Sequence, residues 1–187
     1  MADFAGIYRE YQPRIKRYLT HVAGEAEAAD LTQTVFLKVS RSLDTFRGDS
    51  SLATWIYRIA TNTAHDHAVS SLARQNNGEK LFDDDDSVDD LPDSGFPGTD
   101  REYIRREMNA CIRGIVDQLP ENYRTILILS EFEEIPNAEI AAILDISLDI
   151  VKIRLHRGRT ALRKAMESHC SFYHDDRSEL MCDRKSN

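Results

Sequence analysis

Apolar residues recur along this chain three and four positions apart, the spacing that puts them on one face of a helix. Ile7, Tyr11, Ile15, Tyr18, Leu19 and Val22 predict a first helix, closed by Gly24. Leu31, Val35, Phe36, Val39 and Leu43 predict a second. Phe46–Ser51 reads as a tight loop, because Gly48 and Asp49 are turn formers. A third helix from Ser51 or Leu52 turns Trp55, Ile56, Ile59, Ala60 and Thr63 inward. Further on, Tyr103, Ile104, Met108, Cys111, Ile112, Ile115 and Val116 share a helical face. Pro120 turns the chain, and Tyr123, Ile126, Leu127, Leu129 and Phe132 mark the next helix.

The most informative stretch lies beyond Phe132. A short apolar segment, Asn137–Leu144, is joined by a turn of about three residues to a longer helix that Ser147 can cap, the layout of a helix-turn-helix. Wound at about 100° per residue, Val151, Leu155, Gly158 and Leu162 form one stripe of that second helix. Asp149, Ile153, His156, Arg157, Thr160 and Lys164 lie opposite, flanked by Lys152, Arg154, Arg159 and Arg163. One side packs and the other is basic, as a helix in a DNA major groove requires.

Charge is consistent with this once it is divided along the chain. The net charge of −8 looks wrong for a DNA binder. Residues 1–74 hold nine basic and eight acidic groups, and residues 101–187 hold fourteen and fifteen. Residues 75–100 hold one basic group and nine acidic ones, so the excess is local. That segment is too poor in apolar residues to offset ordering entropy and reads as a flexible acidic linker. Low aromatic content and scarce glycine favour an all-α fold. The expected organisation is therefore two small helical domains: residues 1–74, a linker at 75–100, a helix-turn-helix domain at 101–167, and a tail at 168–187.

Read in order, four segments resemble the extracytoplasmic-function (ECF) group of bacterial RNA polymerase sigma factors. Asp30-Leu-Thr-Gln-Thr-Val-Phe resembles the family's Asp-Leu-x-Gln-Glu-x-Phe helix in region 2, and Phe46–Ala64 resembles its −10 loop and helix. Leu119-Pro-Glu-Asn-Tyr-Arg opens region 4 as the family does, and Val151–Arg159 resembles its recognition helix. The resemblance implies a factor that binds core RNA polymerase and directs promoter recognition. It implies polymerase contacts at Asp30, Leu31, Gln33, Phe36 and Lys38. For −10 DNA it implies Arg47, Gly48, Asp49, Ser50, Arg58 and Asn62, with a base flipped into the Arg47–Ser51 loop. For −35 DNA it implies Asp149, Lys152, Ile153, Arg154, His156 and Arg157. It also implies that the acidic linker mimics nascent RNA in the polymerase's exit channel, and it admits an anti-sigma factor as a partner.

Departures from the family pattern are specific. Thr34 stands where the family has Glu, and Ala68-Val69-Ser70-Ser71 replaces a basic run. Asp149-Ile150 replaces Gly-Thr, and Ile153 replaces Ser. An exposed Ile can touch a thymine methyl but cannot donate a hydrogen bond. The alternative function is a conventional helix-turn-helix regulator binding an operator as a dimer, although no dimerising coiled coil is evident. No enzyme or cofactor is expected, since the chain lacks a phosphate-binding Gly loop, a nucleophilic triad and a His-x-x-x-His pair. No apolar run reaches a membrane span and the N-terminus lacks a signal-peptide core, so a cytoplasmic protein is expected. Cys170, His174 and Cys182 are weak metal or thiol-switch candidates in a tail that otherwise reads as unstructured and reduced.

Overall fold

The computed structural model describes residues 3–76, 112–174 and 180–184. The expected acidic linker falls almost entirely outside these residues, as does Cys111. In the first lobe α1 (Phe4–Ala23) is capped by Asp3, whose carboxylate accepts from the amides of Ala5 and Gly6. Helix α2 (Glu25–Ser42) is next, then a short 3-10 turn at Leu43–Thr45 and α3 (Leu52–Asn76). The periodicity holds for Ile15, Tyr18, Leu19, Val35, Val39, Ile56 and Ala60, which are fully buried between the three helices; Tyr57, outside the predicted stripe, is fully buried as well, and Ile59 is half-buried. Trp55 is half-buried and packs on Phe46, with ring centroids 5.0 Å apart.

The second lobe is described from α4, the helical residues 112–117. Pro120 opens α5 (Glu121–Leu127), which continues as a π-turn over Ile128–Phe132, where the Glu133 amide donates to the Ile128 carbonyl. Next come α6 (Asn137–Leu144) and α7 (Leu148–His169), joined across Asp145, which takes the left-handed conformation at φ 54°. Asp tolerates that geometry better than most non-glycine residues. The Ser147 hydroxyl accepts from the Ile150 amide and fixes the start of α7, as the sequence implied. Val151, Leu155 and Gly158 are buried against α5. A Cβ on Gly158 would sit 3.3 Å from Leu127, so the small residue permits the close helix approach.

One expectation is corrected. The tail is not irregular: β1 (Cys170–His174) pairs antiparallel with β2 (Leu180–Arg184), placing Cys170 opposite Arg184 and Phe172 opposite Cys182. Cys170 is buried at the end of α7. The hairpin is an appendage to a fold that is otherwise all-α.

Candidate nucleic-acid interface

Three surfaces carry the predicted contacts. On α7, Asp149, Lys152, Ile153, His156 and Arg157 are all exposed, while Arg154 is half-buried on the flank. Lys152 lies 3.8 Å from Asp149, so part of its charge is spent within the helix. Arg159 is held differently: its guanidinium donates to Glu131 from Nε and Nη2, which ties α7 to the π-turn. Ile153 is 49 % exposed, and Ile150 and Leu148 beside it are 40 % exposed. This cluster of apolar groups on an outer face has no packing explanation within the lobe.

On α2 the predicted set divides. Leu31 and Phe36 are buried, Phe36 edge-on to Tyr8 at 4.8 Å, so they seat the helix rather than present a surface. Asp30 and Gln33 are exposed. Lys38 is turned toward α3, its Nζ donating to the Thr63 hydroxyl at 3.0 Å. Thr34, the departure from the family's Glu, bends back onto the Asp30 carbonyl at 3.0 Å. Sequence reasoning missed Leu37, which lies on the Asp30 face of the helix and is 57 % exposed.

On α3, Ser51 caps the helix, accepting from the Thr54 amide at 3.1 Å. The preceding loop exposes Arg47, Gly48 and Asp49, with Arg47 3.6 Å from Asp49. Gly48 has φ 77° and nothing within 4 Å of a notional Cβ, so glycine is required there by backbone conformation and not by crowding. Ser50 is half-buried and donates to the Ser51 carbonyl. Arg58 and Asn62 are exposed one turn apart, on a stripe with Ser51, Thr54 and His65.

Residues 7–74 match the family model described as Sigma-70 region 2, and residues 109–162 match Sigma-70, region 4. The chain is 34 % identical to the RNA polymerase sigma-H factor of Pseudomonas aeruginosa over 84 % of its length and 83 % of the relative's. It is 30 % identical to the ECF RNA polymerase sigma-E factor of Haemophilus influenzae, over 84 % of each. The chain belongs to the ECF sigma factors. As a sigma factor it acts in transcription initiation with RNA polymerase and is not an enzyme. Among solved structures, the fold is similar to the sigma factor RpoE in complex with the anti-sigma factor NepR from Bartonella quintana. There the TM-score is 0.69, at 17 % identity, covering 89 % of this chain and 98 % of the other. CnrH in complex with the cytosolic domain of CnrY gives a TM-score of 0.62 at 18 % identity, covering 88 % of each.

In this sigma factor the two lobes touch, a feature the sequence did not reveal. Glu133, at the end of the π-turn in region 4, is buried against region 2. Its carboxylate accepts from Arg17 Nε at 3.0 Å, from Arg17 Nη2 at 2.9 Å and from the Tyr57 hydroxyl at 2.5 Å. The Glu133 hydrogen bond raises the already high pKa of the Arg17 guanidinium. Burial, then that same carboxylate, raises the Tyr57 phenol far above its ordinary value. Beside them His21 of α1 packs on Phe132 at 4.9 Å, and burial holds its imidazole toward the neutral form, with Arg113 adding to the effect.

Among the described residues no group of three or more His, Cys, Asp or Glu could hold a metal ion, and no helix is long and apolar enough to cross a membrane.

Proposed function

We propose that residues 1–74 bind core RNA polymerase and recognise and melt the −10 element, and that residues 101–167 read the −35 element. Residues 75–100 tether the two, and residues 168–187 are an appendage. The observation that carries this reading is α7: its apolar side is buried in the lobe, and Asp149, Lys152, Ile153, His156 and Arg157 all face outward. Such a helix can enter a major groove without disturbing its own core. Arg47, Gly48, Asp49, Ser50, Arg58 and Asn62 form the −10 surface, with the Gly48 backbone open to close approach by a base. The protein acts in the cytoplasm, where core polymerase is. An anti-sigma factor is a proposed partner, since the two fold relatives above were solved with theirs.

Purified protein added to core polymerase is expected to start transcripts at discrete sites on a genomic template that core enzyme alone ignores. Tight binding to an operator by a free dimer, without such initiation, would favour the conventional regulator.

For the polymerase contact we place Leu37 beside Asp30 and Gln33. A large apolar side chain ringed by polar groups has the character of an interface anchor. Leu37→Asp is expected to weaken core binding at least ~10-fold, the loss of one buried anchor of about 2 kcal/mol, with little change in thermal stability because the side chain is exposed. Titration of labelled protein with core enzyme measures it, and equal affinity for a folded variant would remove Leu37 from the interface.

A further inference from the structure

We infer that Ile150 and Ile153 read thymine: they seat against thymine methyl groups in the major groove of the −35 element and make thymine a requirement for tight binding there. The inference deepens the reading of α7 proposed above and rests on it, adding the base that this chain selects. Both side chains stand where a base reader must. In a helix-turn-helix the N-terminal residues of the second helix meet the base edges, and Ile150 and Ile153 lie in the first two turns of α7. Three residues apart, they are neighbours on the helix surface, and both are exposed. Their placement is set before any DNA arrives. The Ile150 amide donates to Ser147 Oγ at 3.3 Å, which fixes the first turn, and Val151 between them is fully buried in the lobe.

What these two groups can do in a major groove is narrow. An Ile side chain neither donates nor accepts a hydrogen bond, and the one apolar group on a base edge there is the thymine methyl. At both positions a hydroxyl of the family pattern, which can serve several bases, is exchanged here for a branched hydrocarbon. The polar groups beside them do not supply a guanine reader. Asp149 can only accept when ionised, and Lys152 Nζ lies 3.8 Å from its carboxylate. The free donors, His156 and Arg157, come one turn later.

The contact is also inexpensive to form. A β-branched side chain in a helix holds largely to one χ1 rotamer, so little freedom is lost when it is pressed against DNA. Burying one methyl group against such a side chain is worth ~4-fold in affinity. A protein partner docking on the same apolar pair would be indifferent to methyl groups on the DNA, so the two uses separate experimentally.

The test titrates polymerase holoenzyme onto a labelled promoter duplex mapped by the transcription assay. Each thymine of the −35 element, on either strand, is replaced in turn by deoxyuridine, which lacks only the methyl group. Holoenzymes are made with the full-length wild type, Ile150→Ala and Ile153→Ala. Wild type is expected to lose ~4-fold in affinity at one or two of the thymines. At each of these the loss is expected to vanish in the variant whose side chain met that methyl, because the methyl then has no partner. The deoxyuridine series on wild type needs no variant, so the proposal stays open to refutation even if an Ala substitution disturbs the lobe. No loss at any thymine would overturn it, as would a −35 element without thymine. Equal losses in wild type and both variants would overturn it too, since the methyl would then act through the shape of the DNA. Failure of the −35 assignment itself would look different: scrambling the whole −35 element would leave the affinity of wild-type holoenzyme unchanged.

Discussion

Arg157→Ala is expected to weaken promoter binding by about 1–3 kcal/mol, a loss of about 5- to 150-fold, while the protein stays folded. Arg157 is exposed on the outer face of α7 and forms no ion pair with another described residue. Its neighbour Arg159, by contrast, is bonded to Glu131 and is partly withdrawn from any external ligand. The guanidinium of Arg157 is therefore the better placed of the two to meet a guanine edge or a phosphate. These two roles are separable. If a base is read, the loss appears with the cognate −35 element and shrinks when that base pair is changed. If phosphate is held, affinity falls for every sequence, and the salt slope decreases by about one. Polymerase holoenzyme titrated onto a labelled promoter at several salt concentrations gives both. Unchanged affinity would remove Arg157 from the contact set, and a lower melting temperature would assign it a structural role instead.

Leu155→Ala, two positions earlier, should act through stability. Leu155 is 3 % exposed, on the stripe of α7 that packs against α5. Truncating a buried Leu removes transfer energy and leaves a cavity, together about 2–5 kcal/mol. For a lobe of this size that is a large share of its stability. Region 4 is expected to unfold at markedly lower denaturant while region 2 holds, so the full chain should show two transitions where one reference state no longer suffices. Promoter binding is then expected to fall because α7, the proposed −35 reader, loses its support. A loss below about 1 kcal/mol would mean that the lobe collapses around the site with little cost.

These two variants also show how much the chain discloses on inspection. The alternation of Leu155 inward and Arg157 outward is helical periodicity, a local property, and it locates α7, its cap at Ser147 and the outward face without reference to any other element. The buried rows of α1, α2 and α3 are legible for the same reason. Glu133 is not. Its partners Arg17 and Tyr57 lie 116 and 76 residues away, and an acidic residue beside Glu131 and Glu134 looks like solvated surface. The π-turn that aims it leaves no compositional mark. The motif assigns Leu31 and Phe36 to the polymerase surface simply because it contains them, whereas the helix turns them inward. Leu37 escapes notice because a single exposed apolar residue is ordinary in a sequence. The tail reads as irregular because its polar content hides the pairing of Cys170–His174 with Leu180–Arg184.

The π-turn has a consequence for inheritance. A π-turn differs from an α-helix by one residue inserted into the ladder. Deleting a single residue from Ile128–Phe132 would restore the regular register and rotate the downstream chain by about 100° relative to α5. The carboxylate of Glu133 would then leave its seat between Arg17 and Tyr57, although every side chain of the contact remained encoded. Whether the two halves of such a factor clasp each other can thus change by one codon's loss or gain, a length mutation that substitution patterns would never register.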